Sequence, residues 1–93
     1  MADQIVINVP VPVTSGGQLN GVRAVLQERL RQDAKWGPQQ HHDNRLWATI
    51  LGEEFGEACQ AVLRDDGTKL QEELVQVAAV ALAWIEDLGT RRP

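Results

Sequence analysis

The chain has 93 residues, 43% hydrophobic and 24% charged, with a formal net charge of −4. That length bounds it to one small domain, whose core stays modest unless another subunit adds to it. The acidic balance excludes a protein that coats a nucleic-acid backbone, which needs a basic surface to displace counterions, but it leaves room for a small phosphorylated ligand accompanied by a metal ion.

The N-terminal stretch IVINVPVPVTSGG is expected to form an extended arm over residues 1–18, ending in a Ser-Gly-Gly hinge. Pro10 and Pro12 remove backbone donors and confine a strand to an edge position. The alternation of Ile5, Ile7, Val9, Val11 and Val13 suits an arm lying on a neighbouring subunit. The segment lacks the basic start and unbroken apolar core of a signal peptide. No apolar run approaches the roughly 20 residues of a membrane span. The single cysteine, Cys59, excludes an internal disulfide, and the expectation is a cytoplasmic protein without membrane or nucleic-acid partners.

The rest, residues 19–93, reads as one all-α domain. Leu19, Val22, Val25, Leu26 and Leu30 recur at helical spacing and predict a first helix over about 19–35. Gly37 and Pro38 then break the pattern. A second helix, capped by Asp43 or Asn44, is expected to run to about Arg64 and to end at RDDGT. A third is expected over about 69–87, with Thr68 as cap and Gln71 completing a capping box, and Gly89 ending it. Between Val77 and Ile85 this last helix is apolar on nearly every side, as a helix buried all round would be. Two short neighbours cannot enclose it, so the expected architecture is a bundle of about three helices per chain, completed by oligomerisation, with Val80 facing the second copy.

The second helix carries a costly feature. Glu53, Glu54 and Glu57 stand at spacings of three and four, on one side of the helix and among apolar neighbours. Glu73 and Gln76 follow near the start of the third helix. In an antiparallel hairpin the two groups meet at similar heights. Converging carboxylates stay ionised only with a cation between them; otherwise one takes a proton. Magnesium, which prefers oxygen ligands, suits such a set. The dipole of a helix start accounts for Glu72 and Glu73, but not for the three glutamates in mid-helix.

The order E-E-x-x-E on one helix and E-x-x-D on the next resembles the MazG-like nucleotide pyrophosphohydrolases, members of an all-α nucleoside triphosphate pyrophosphatase superfamily. The matching segments here are EEFGE at 53–57 and ELVQ at 73–76, with RQDAKWGPQQHHD at 31–43 before them and EELVQVAAVALAWIEDL after. The resemblance covers about residues 20–88. It implies magnesium-dependent hydrolysis (manganese serving in its place) of a nucleoside triphosphate to monophosphate and pyrophosphate, in house-cleaning or nucleotide-pool control. It also implies a homodimer or homotetramer. Carried over by position, Glu54, Glu57, Glu73 and Gln76 would be the metal ligands, and Glu53 would orient or deprotonate the attacking water. The family's aspartate is here Gln76, a weaker ligand, so the alternative is a non-catalytic module binding a nucleotide or partner in a degenerate site. Asp87 lies about three turns beyond Gln76 and is too distant to replace it.

Lys35 and Trp36 are the candidate nucleotide contacts, a base stacking on the indole with the ammonium near a phosphate, although a tryptophan there equally caps a bundle core. Trp47 and Trp84 read as core. His41 and His42 lack the spacing and companion ligands of a transition-metal site. Cys59 is expected to be a buried small residue, and Arg91 and Arg92 a solvated end.

Overall fold

The computed structural model describes residues 16–38 and 41–91; the expected arm, up to residue 15, and Arg92 lie outside them. Three helices make up the architecture: α1 (Gly16–Trp36), α2 (Asn44–Leu63) and α3 (Gly67–Thr90). Among the described residues there is no strand, and no helix is long and apolar enough to cross a membrane.

The helix ends follow from side-chain chemistry. Asp43 caps α2, its carboxylate accepting from Leu46 N at 2.8 Å. α1 begins at Gly16, so the two glycines expected in a hinge belong to the helix. The cap of α3 is Asp66, which accepts from Lys69 N at 3.0 Å, and not Thr68. An aspartate offers the stronger acceptor, and the turn closes early because Asp65 adopts a left-handed φ of 54°, a conformation aspartate tolerates better than most residues. α3 also runs through Gly89 to Thr90.

α3 is the middle helix. It packs against both α1 and α2, while the backbones of α1 and α2 do not approach each other closely. Its periodicity of 3.6 residues per turn divides it into three sides. Gln76 and Glu86 reach α1; Glu73, Val80, Ala83, Trp84 and Asp87 serve α2. Ala79 is fully buried, and Ala58 and Ala61 are buried on α2, so small side chains let the backbones approach closely. Val80 corrects the sequence expectation: it packs with Trp47 and Ala83 in this chain's own core rather than facing outward.

The third side of α3 carries Leu74, Ala78, Ala81, Ile85 and Leu88, and it is uncovered: Ile85 is 65% exposed. α2 bears a matching stripe of Phe55, Cys59 and Val62, all exposed. Cys59 is therefore exposed and not, as expected, buried. Each stripe lies one residue after its helix's packed positions. In antiparallel helices that offset turns both stripes to the same side of the pair.

Candidate metal centre

The α2–α3 hairpin brings together three of the glutamates marked by the sequence. One oxygen each of Glu54, Glu57 and Glu73 lies within 4.8 Å of the others. Glu54 and Glu57 stand one turn apart on α2, and Glu73 faces them from the first turns of α3. Buried Ala58 and Ala61 keep the two helices close enough for the meeting.

The electrostatics are those of crowded carboxylates. Glu73 is buried, 4% exposed. Its Oε1 pairs with Lys69 Nζ at 3.1 Å, but its Oε2 is buried without a hydrogen-bond partner. The Lys69 bond holds Glu73 below the usual carboxylate range. Burial, and then the charges of Glu57 and Glu73, push Glu54 up to about 7. Glu57 is raised chiefly by its hydrogen bond with Glu73, which needs a proton on one of the two acids. Glu54 thus holds a proton near neutrality that a cation would displace. The fit to a hard divalent ion is good: three oxygens come from two rigid helices, Glu73 also keeps a buried oxygen with no donor, and positions remain for water or substrate.

The other expected site residues fall differently. Glu53 is exposed and outside the three-carboxylate group, although its charge bears on Glu54 and Glu57. Gln76 turns toward α1: its Oε1 accepts from Gln32 Nε2 at 3.4 Å, and it bonds Glu28. Glu28 is held low in pKa, first by Arg31, whose Nε and Nη2 donate to it at 2.8 and 2.5 Å.

Because the backbones of α1 and α2 stand apart on either side of α3, a groove of about 340 Å³ opens between them. Trp47, Ile50, Val80 and Ala83 give it an apolar base, Trp36 and His42 aromatic edges, Arg29 and Arg31 positive charge, and Glu54 joins it to the carboxylate cluster. Trp36 is thus at the groove. Lys35 is exposed and is not among the lining residues; its Nζ lies 4.5 Å from the Trp36 ring centroid. Trp47, read as core alone, is both core and groove wall. Arg91, read as a solvated end, pairs with Asp87 Oδ2 at 2.6 Å.

The groove's α1 contribution from Arg29, Arg31 and Gln32 was not marked by sequence; only the charge interspersed on that helix hinted at it. Comparison with protein-family models, curated proteins and solved structures found no match to this chain.

Proposed function

We propose that the chain is a metal-dependent nucleoside triphosphate pyrophosphohydrolase of MazG-like type, releasing a nucleoside monophosphate and pyrophosphate. One observation carries the reading: three carboxylates from two helices converge, with a buried oxygen lacking a donor, at the mouth of a groove with an aromatic wall. Glu54, Glu57 and Glu73 would hold magnesium or manganese. When bound, the ion supplies neutralisation of phosphate charge and a water of lowered pKa. Glu53, next to Glu54, would take the proton of the attacking water. Trp36, exposed at the groove edge, offers a face for a base, and Arg31, paired with Glu28, adds positive charge beside it. Helices fix these groups more rigidly than loops.

The same reading makes the protein a homodimer or homotetramer in a reducing, cytoplasmic compartment. Its support is the uncovered apolar side of the α2–α3 hairpin and the single cysteine. Leu74, Ala78, Ala81, Ile85 and Leu88 follow spacings of four and three, the seam of packed helix pairs.

A second reading, binding without turnover, is favoured by Gln76, whose amide is engaged with Gln32 and Glu28 and adds no charge to the metal centre. Pyrophosphate release from a panel of ribo- and deoxyribonucleoside triphosphates, with magnesium and then manganese, separates the two. Turnover by the wild type that is abolished in Glu54→Ala is the expected result. A folded wild type silent across the panel leaves the binding module.

A further inference from the structure

We propose that Asp87, remote from the carboxylate cluster, is a positioning residue that sets the aromatic wall of the groove for its ligand; this rests on the nucleotide reading above. Its side chain is fully buried, yet it carries a full set of donors. Trp47 Nε1 donates to Oδ2 at 2.7 Å, and the His42 backbone N–H to the same oxygen at 3.1 Å. Arg91 Nη2 donates to Oδ2 at 2.6 Å, and His41 Nδ1 lies 2.8 Å from Oδ1. A carboxylate only accepts, so His41 presents a protonated Nδ1 to it. These bonds keep Asp87 far below the usual aspartate range, the Trp47 bond foremost.

Two of the four partners belong to groove residues. The His42 and Trp47 rings meet at 4.7 Å between centroids, tilted by 60°, and both line the groove. Trp47 also stacks on Trp84 at 6.5 Å, and Trp84 Nε1 donates to Asn44 Oδ1 at 3.0 Å. Packing confines the Trp47 indole, and a directed bond to its N–H selects one orientation within that packing. Asp87 accepts that bond, and the same carboxylate pins the backbone of His42 beside it. Arg91 closes the set by donating also to the His42 carbonyl. One acid on α3 therefore fixes the orientation of a wall built by α2 and the segment before it. A site whose walls are locked before binding does not spend ligand affinity on ordering them.

Asparagine preserves the device: its oxygen can keep the Trp47, His42 and Arg91 bonds, and its amide can face the other tautomer of His41. Alanine abolishes it. The experiment measures binding of α,β-methylene nucleoside triphosphates, one for each base, in magnesium, and separately binding of manganese alone. Wild type, Asp87→Asn and Asp87→Ala are compared. Expected is affinity in Asp87→Asn within roughly threefold of wild type and a loss of roughly tenfold or more in Asp87→Ala, with manganese affinity unmoved in both. Trp47→Phe, which keeps a ring but lacks the N–H, should lose affinity likewise and serves if Asp87→Ala does not fold. Nucleotide affinity unchanged in Asp87→Ala or in Trp47→Phe would overturn the proposal, as would manganese and nucleotide affinities falling together. A wild type that binds manganese but none of the analogues removes the nucleotide reading itself, and this inference with it.

Discussion

Glu73 is a buried carboxylate with one oxygen answered by Lys69 and the other by no donor, and the cost is passed to its neighbours. Glu54, half-buried, is pushed up to about 7 by burial and by Glu57 and Glu73. An acid whose pKa is higher folded than unfolded favours the fold while protonated. Its contribution is complete below about pH 4.5 and is lost as pH rises through 7. The metal-free protein should therefore lose melting temperature between pH 5 and 8, by roughly a few degrees after solvent screening. Glu54→Gln should flatten that slope, and so should saturating magnesium, which replaces the proton. A slope identical in Glu54→Gln and wild type, measured by calorimetry, would remove Glu54 from the cluster's titration. Gln76 makes a second case. Sequence alone suggests that Gln76→Asp simply tightens metal binding. Its neighbour Glu28 adds a penalty, since two carboxylates would then face each other across α1 and α3. The variant should melt lower than wild type without metal and gain more from magnesium, half-saturating at a concentration lower by roughly threefold to tenfold. Equal magnesium stabilisation in the two proteins would place position 76 outside the metal's reach. The glutamates were legible because mid-helix carboxylates among apolar residues have no ordinary explanation. The partners of Gln76 and Asp87 were not, because Gln32 and Trp47 are distant in sequence and only the helix crossings bring them together.

Among the elements, α3 shows how a composition can be read correctly and its faces wrongly. Nearly continuous apolar sequence announces a central helix, and α3 is central, with α1 and α2 on two sides. What composition does not reveal is which residue serves which side. Val80, at the middle of the run, is 6% exposed against Trp47 and Ala83, while Ile85 stands open. The two positions give opposite diagnostics. Val80→Glu buries a charge in the chain's own core and should unfold it, with loss of helical circular dichroism. Ile85→Glu touches only the open stripe and should leave the helices intact while dissociating an oligomer, moving the sedimentation mass to that of one chain. An Ile85→Glu protein that keeps the wild-type mass would show that this stripe is not the interface. The helix ends were legible to within a few residues, since Asp43 and the RDDGT turn carry their own chemistry. The cap of α3 was misassigned because Asp65 takes a left-handed conformation that the sequence does not advertise.

The whole molecule is a three-helix layer folded around one central helix, and its asymmetry decides where function can reside. α2 and α3 form a tight hairpin with the indole and alanine core and the carboxylate cluster. α1 is joined to that hairpin on one side only, through α3. Its attachment includes a polar clasp beside the apolar meeting of Val22, Val25 and Leu26 with Leu82: Arg29, itself paired with Asp33 on α1, donates from Nε and Nη2 to Glu86 at 2.9 and 2.6 Å, while Gln32 reaches Gln76. The groove exists because α1 stands off from α2, so whatever holds α1 to α3 also sets the groove's width. The Arg29 side chain is 10% exposed and that of Glu86 46%, so the pair is neither a surface decoration nor a fully buried charge. Replacing Arg29 by methionine keeps the apolar stem, removes the fork, and should cost roughly 1–2 kcal/mol. The loss should be local. Hydrogen exchange should quicken across α1 while the amides of α2 and α3 stay near wild-type protection, because the hairpin retains its own core. Ligand affinity at the groove should fall with it, and magnesium affinity at Glu54, Glu57 and Glu73 should not. Exchange that quickens equally in all three helices would mean that α1 and the hairpin unfold as a single cooperative unit. In that case the groove's width is fixed by global stability and not by the Arg29–Glu86 clasp.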